Sequence, residues 1–96
     1  MKNCVYILCC KDNRYYIGST VELIKRLREH RQGKVYSTKN RRPVKLVFAQ
    51  GYNTKHDAHR IELWIKNQKS KKLIDQIIKD GIIRKEFKHG ERSSVG

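Results

Sequence analysis

The run Cys4-Val5-Tyr6-Ile7-Leu8-Cys9-Cys10 constrains the fold more than any other feature of this chain. It is uninterrupted, apolar and rich in β-branched and aromatic side chains, so it reads as a buried strand. Its setting is strongly charged: 23 Lys and Arg against 9 Asp and Glu give a net charge of +14. With 96 residues and 38% hydrophobic content, the chain supports one small domain around one small core. The charge is not a tail effect. Residues 1–50 carry twelve basic and three acidic side chains, and residues 51–96 carry eleven and six. A polyanion is the natural partner, with nucleic acid ahead of a membrane or ribosomal surface. No stretch approaches the ~18 apolar residues of a membrane span. The opening Met1-Lys2-Asn3 and the short run behind it do not make a signal peptide. Three cysteines, Cys4, Cys9 and Cys10, form no C-x-x-C, which points to a reduced, cytoplasmic protein without disulfide or zinc.

Lys11 to Arg14 is polar and turn-forming, so Tyr15-Tyr16-Ile17-Gly18 is expected to return antiparallel to the first strand. Ser19-Thr20-Val21-Glu22 fits a capping box, with Ser19 as cap and Glu22 reaching back. The helix behind it runs to about Gln32, and Gly33 stands where a left-handed C-cap belongs. Leu23, Ile24 and Leu27 form its apolar side, with Glu22, Arg26 and His30 four apart on another. Residues 34–43 read as a polar, basic loop, and residues 44–49 as a third strand. Thr54-x-x-Asp57 opens a second helix that turns Ala58, Ile61, Trp64 and Ile65 inward. Ser70 caps a third, with Leu73, Ile74, Ile77 and Ile78 inside and Gly81 at its end. Residues 82–87 could pair or pack. The order is β-β-α-β-α-α: an α/β (α+β) domain with a central three-stranded antiparallel sheet flanked by helices. Its boundaries are expected at residues 1–82, followed by a basic, flexible C-terminal tail over 83–96.

The hairpin brings Tyr6 and Tyr16 together, and Arg26 and His30 follow on the first helix. Glu62 lies at the margin of the second helix's apolar face. Phosphodiester hydrolysis needs such types: a base for water, positive charge on the non-bridging oxygens, and a metal ligand. Cys4-Val5-Tyr6 followed by Tyr16-Ile17-Gly18 resembles the paired motif of the GIY-YIG nuclease superfamily. The series continues through Gly18-Ser19-Thr20, Arg26-Leu27-x-x-His30, Gly33-Lys34-x-Tyr36-x-Thr38 and Arg41-Arg42-Pro43-x-x-Leu46-Val47. Ala58-x-x-x-Glu62 and Ile65-Lys66 complete it, over roughly residues 3–80. Each piece alone is weak; the ordered series is specific. It is most similar to the small, stand-alone bacterial branch.

The resemblance implies a divalent-metal-dependent phosphodiesterase acting on DNA, in repair or recombination. Glu62 then corresponds to the metal-binding glutamate, for Mg²⁺ or Mn²⁺, and Arg26 to the arginine that steadies the scissile phosphate. Tyr6 and Tyr16 match the motif tyrosines, one of them drawing a proton from the attacking water. His30 and Tyr36 fall where an assisting side chain is found. Gly18 matches the motif glycine, where a missing Cβ is expected to let the helix start close to the sheet. Two positions depart: Cys4 replaces the first motif glycine, and Gln68 to Asp80 contains no asparagine where many branches have one.

The same residues also have plainer readings. Tyr6 and Tyr16 could be strand aromatics, Arg26 an i+4 partner of Glu22, and Glu62 an i−4 partner of Lys66. His30 could serve the dipole at a helix C-terminus. His56, His59 and His89 read as surface or cap residues, and Trp64 as core. Lys34, Lys39, Arg41, Arg42, Lys66 and Lys69 are expected phosphate contacts, which position a protein without reading sequence. An inactive nucleic-acid-binding module and a basic protein docking on RNA or a larger nuclease assembly remain the alternatives.

Overall fold

The computed structural model describes residues 2–87. The elements are β1 (Cys4–Cys9), β2 (Tyr15–Thr20), α1 (Leu23–Arg31), a 3₁₀ turn (Lys39–Arg41), β3 (Lys45–Gly51), α2 (Lys55–Gln68) and α3 (Lys71–Asp80). The three strands form one antiparallel sheet in the order β2-β1-β3. The expected α+β architecture and its β-β-α-β-α-α order are what the chain adopts.

The unbroken apolar run now has its cause. β1 is the central strand, and Cys4 to Leu8 are all fully buried because both faces of the sheet are covered. Val5 and Ile7 pack with Ile17 and Phe48 against Ala58, Ile61 and Ile65 of α2 and Ile77 of α3. Cys4, Tyr6 and Leu8 pack on the opposite face against Leu23 and Leu27 of α1. In the register, Tyr6 stands opposite Gly18 and Leu8 opposite Tyr16, so both motif tyrosines lie on the α1 face.

Local capping chemistry sets most of the helix limits. Thr54 Oγ1 accepts the Asp57 N–H at 3.0 Å and Ser70 Oγ accepts the Leu73 N–H at 3.1 Å. Gly33 and Gly81 take positive φ after α1 and α3, at 77° and 72°. The capping box at Ser19 does not form. Ser19 belongs to β2, and the N-cap of α1 is Glu22, whose side chain caps nothing. Instead Thr20 Oγ1 accepts the Glu22 N–H at 3.1 Å.

Other expectations change as well. Ile24 is 68% exposed, and the buried stripe of α1 is Leu23, Leu27 and His30. The loop over 34–43 is not wholly polar in character: Val35 and Thr38 are buried beneath it. Beyond α3, Ile83 is buried in the aliphatic core and Phe87 packs against it, so the packed body continues past residue 82. Residues 82–87 pack without pairing as a strand. The remainder of the expected tail, His89 included, lies outside the described residues. Among those described, no helix is long and apolar enough to cross a membrane.

Candidate active site

The site straddles β2, an edge strand, and has two halves. On the α1 face, the Tyr6 hydroxyl lies 2.8 Å from His30 Nε2, and His30 Nδ1 lies 2.8 Å from Thr38 Oγ1. Tyr6, His30 and Thr38 are all 0% exposed. The Tyr16 ring closes the cluster, edge-on to His30 at 5.0 Å and tilted to Tyr6 at 6.2 Å. It is half-buried, and so is the motif tyrosine nearer to solvent.

Gly18 explains how Tyr6 fits. A Cβ built there would come within 2.6 Å of the Tyr6 hydroxyl and of its ring carbon Cζ. The missing side chain thus makes room for the Tyr6 ring across the strand pair, rather than for the start of α1. The sequence requires glycine here for a close approach and not for a positive φ.

Donor counting favours one arrangement of protons. Arg26 acts on the Tyr6 phenol as a cation that can only donate. One arrangement leaves neither the hydroxyl hydrogen nor the ring N–H without an acceptor: Tyr6 donates to His30 Nε2, and the Nδ1–H of His30 donates to Thr38 Oγ1. Burial, reinforced by the positive charge of Arg26, holds the His30 pKa down to about 4, so the imidazole is neutral. Burial likewise pushes the Tyr6 phenol up to about 12, despite the Arg26 contact that opposes it. Tyr6 is thus a neutral hydroxyl. The nearby Arg26 cation does not make the phenolate its resting form.

On the α2 face, Glu62 is only 9% exposed. Ser19 Oγ donates to its Oε1 at 2.6 Å, and Lys66 Nζ to its Oε2 at 2.6 Å. His59 Nδ1 stands 3.4 Å from Oε1. Burial alone would raise the carboxyl pKa, but Lys66 and Ser19 outweigh it and hold the group below the usual range, ionised. The i−4 pairing with Lys66 expected on the plainer reading is present. Ser19 also links the halves. It lines a cavity of about 270 Å³ together with Lys25, Arg26 and Glu29 of α1, beside the end of β2.

The Arg26 pairing differs from its plain reading. Its partner is Glu29 at 3.1 Å, not Glu22. Glu22 sits before the helix with extended backbone, φ −142° and ψ 94°, so it does not occupy the helical row below Arg26. Tyr36 is 90% exposed and stands apart from the buried cluster. Thr38, two residues on, supplies the contact to His30.

The basic residues divide by what they already touch. Arg42 donates to the Lys39 and Arg31 carbonyls, and a Cβ at Gly33 would meet its guanidinium at 2.7 Å. Arg42 therefore ties the loop to the end of α1. Arg41 pairs with Asp12 at 3.3 Å, while Lys34, Lys39, Lys66 and Lys69 are exposed.

No group of three or more His, Cys, Asp or Glu side chains gathers as a metal cluster among the described residues. The donor set for a hard divalent cation is one ionised carboxylate, Glu62. That suffices for Mg²⁺, which keeps several waters and takes further oxygens from substrate phosphate.

Comparison with known proteins gives the family. Residues 2–75 match the sequence profile of the GIY-YIG catalytic domain. The chain is 44% identical over 68 residues to the UPF0213 protein YazA of Bacillus subtilis, covering 70% of this chain and 69% of that protein. It is 40% identical over 83 residues to the UPF0213 protein YsiG of Lactococcus lactis, covering 85% and 80%. The solution NMR structure of the UPF0213 protein BH0048 from Bacillus halodurans superposes with a TM-score of 0.54 at 34% identity, covering 82% of this chain and 84% of that one. The two tyrosines across Gly18, the arginine and histidine of α1 and the glutamate of α2 thus sit in a matched frame, and the chain belongs to the GIY-YIG catalytic domain family.

Proposed function

We propose that this protein is a divalent-metal-dependent nuclease that hydrolyses DNA phosphodiester bonds, acting in repair or recombination in the reducing cytoplasm. The family is one of nucleases that act on DNA. The observation that carries the reading for this chain is the buried Tyr6–His30–Thr38 series, held beside Arg26 and across one strand from an ionised glutamate. A core of this size gains nothing in stability from three buried polar groups, each of which must be satisfied to be tolerated.

In the mechanism, Arg26 binds the non-bridging oxygens of the scissile phosphate and stabilises their added charge. Tyr16, the more exposed phenol, orients the attacking water. Tyr6 passes a proton from the site toward His30 Nε2, and Thr38 holds the imidazole in the tautomer that can accept it. Glu62 would hold Mg²⁺ or Mn²⁺, which supplies Lewis-acid polarisation of the phosphate when bound. Ser19 keeps the Glu62 carboxylate turned toward the site. Lys34, Lys39, Lys66 and Lys69 contact flanking phosphates, so binding falls with salt and reads sequence weakly.

A second reading has one observation in its favour: the Lys66 ammonium already neutralises Glu62, as in a binding module that no longer turns over. End-labelled single-stranded, duplex, flap and four-way-junction DNA, incubated with Mg²⁺, Mn²⁺ or EDTA, separates the two. The nuclease reading expects metal-dependent cleavage that Glu62→Ala lowers about 100-fold or more, with DNA affinity in EDTA retained. Binding without cleavage in every wild-type lane supports the binding module instead.

A further inference from the structure

Lys66 has two neighbourhoods. Its Nζ lies 2.6 Å from Glu62 Oε2, yet its side chain is 45% exposed while that of Glu62 is 11% exposed. The same lysine lines a cleft of about 240 Å³ at the α2–α3 junction, together with Arg14, Lys69, Lys71, Ile65 and Ile74. No carboxylate among the described residues lines that cleft. Four cationic side chains without a carboxylate among them attract anions, and an anion held there would give a freed Lys66 ammonium a partner.

Glu62 does not need Lys66 to hold its shape. Ser19 Oγ fixes Oε1 at 2.6 Å from a strand, independently of α2's own side chains. Lys66 can therefore leave without the carboxylate turning away from the site. While it stays, it covers the second oxygen and satisfies the charge that a divalent cation would otherwise satisfy.

We propose that Lys66 is an exchangeable counter-ion of Glu62, released by nucleic-acid phosphate, so that a divalent cation is admitted to Glu62 chiefly when substrate is present. The proposal rests on Glu62 being the metal ligand of the function proposed above. It adds an order of binding: phosphate draws Lys66 into the cleft, and Glu62 Oε2 is then open to the cation. By linkage, the cation and the nucleic acid favour one another's binding by the same factor.

The test is Mn²⁺ binding in the absence of DNA, followed by loss of the free-ion EPR signal, for the wild type, Lys66→Met, Lys66→Gln and Glu62→Gln. Both Lys66 variants are expected to bind Mn²⁺ about tenfold more tightly than the wild type. Lys66→Gln covers the case in which Lys66→Met folds poorly. In a second arm, Mn²⁺ strengthens binding of a labelled oligonucleotide, read by anisotropy, more in the wild type than in Lys66→Met. Equal Mn²⁺ affinity of wild type and Lys66 variants, with binding lost in Glu62→Gln, overturns the counter-ion role and leaves the metal site standing. Mn²⁺ bound by Glu62→Gln as by the wild type overturns both.

Discussion

On the α2–α3 face of the sheet, Val5, Ile7 and Ile17 meet Ala58, Ile61, Ile65 and Ile77, and the centre of the buried layer is aliphatic. On the α1 face, Tyr6 and Leu8 meet Leu23, Leu27 and His30, and a threonine from the following loop completes the layer. The same strand, β1, serves both through the alternation of its side chains. The difference shows how a small domain places chemistry. One face supplies stability by burying aliphatic surface, roughly 25 cal/mol per Å². The other gives up some of that surface to hold a phenol, an imidazole and a hydroxyl in fixed geometry. Glu62, the buried polar group contributed by α2, stands at the margin of the aliphatic layer, where Ser19 and Lys66 can reach it.

The largest expected effect tests the aliphatic side. Ile7 is fully buried in that layer, so Ile7→Ala should cost about 2–5 kcal/mol in urea denaturation, through lost transfer energy and the cavity left behind. If the faces divide their labour as described, a milder variant such as Ile7→Val keeps the pH and salt dependence of DNA binding unchanged. A shift in either would show the faces to be coupled.

The α1 face should reveal itself through pH. His30 titrates near 4 in the folded chain and near 6.5 when unfolded. Between those values the unfolded chain binds the extra proton, so stability rises with pH: it is complete above about 6.5 and is lost as pH falls toward 4. The slope from this one group approaches about 1.4 kcal/mol per pH unit. Glu62 acts in the same direction but below the ordinary carboxyl range, so the two windows separate. Denaturation midpoints should hold from pH 7.5 to about 6.5 and then fall toward pH 4.5 in the wild type, and fall less in His30→Gln. Parallel profiles would mean that His30 is not buried neutral.

Thr38 sharpens the comparison further. Thr38→Val removes the acceptor of His30 Nδ1–H while keeping the shape, and should cost about 1–3 kcal/mol, with Thr38→Ser recovering most of it. The imidazole ¹⁵N shifts should report loss of the Nδ1–H tautomer in Thr38→Val and its return in Thr38→Ser. A stability loss with the tautomer unchanged would reduce Thr38 to a packing residue.

What the sequence discloses follows the range of the interaction. The apolar run marks β1, and Thr54, Ser70, Gly33 and Gly81 mark helix limits, because each acts within a few residues. The motif series marks the residues of both halves of the site. Ser19 misleads because S-x-x-E is also a local capping pattern, whereas its partner Glu62 lies 43 residues away. Ile24 misleads for another reason: the buried stripe runs Leu23, Leu27, His30 at i, i+4 and i+7, and Ile24 lies about 100° round the helix from Leu23, where an apolar count alone cannot tell flank from core. Thr38 is invisible as a buried group until the loop from Gly33 folds its hydroxyl onto His30. Its place two residues after Tyr36 in the motif series was the available signal.

The smallest effect concerns Arg26, which belongs to the α1 face yet reaches its surface. Its ion pair with Glu29 joins side chains that are 37% and 30% exposed. Pairs of that exposure contribute little, so Glu29→Gln should change stability by only about 0.2–1 kcal/mol. Its electrostatic consequence is more informative. Removing a carboxylate beside the proposed phosphate position should strengthen DNA binding by about twofold at low salt, with the gain fading as the Debye length shortens. That pattern would place Arg26 at the rim, poised between Glu29 and phosphate. A loss of stability as large as that of Thr38→Val would instead make the Arg26–Glu29 pair part of the support for Tyr6, and would extend the buried polar layer to the surface of α1.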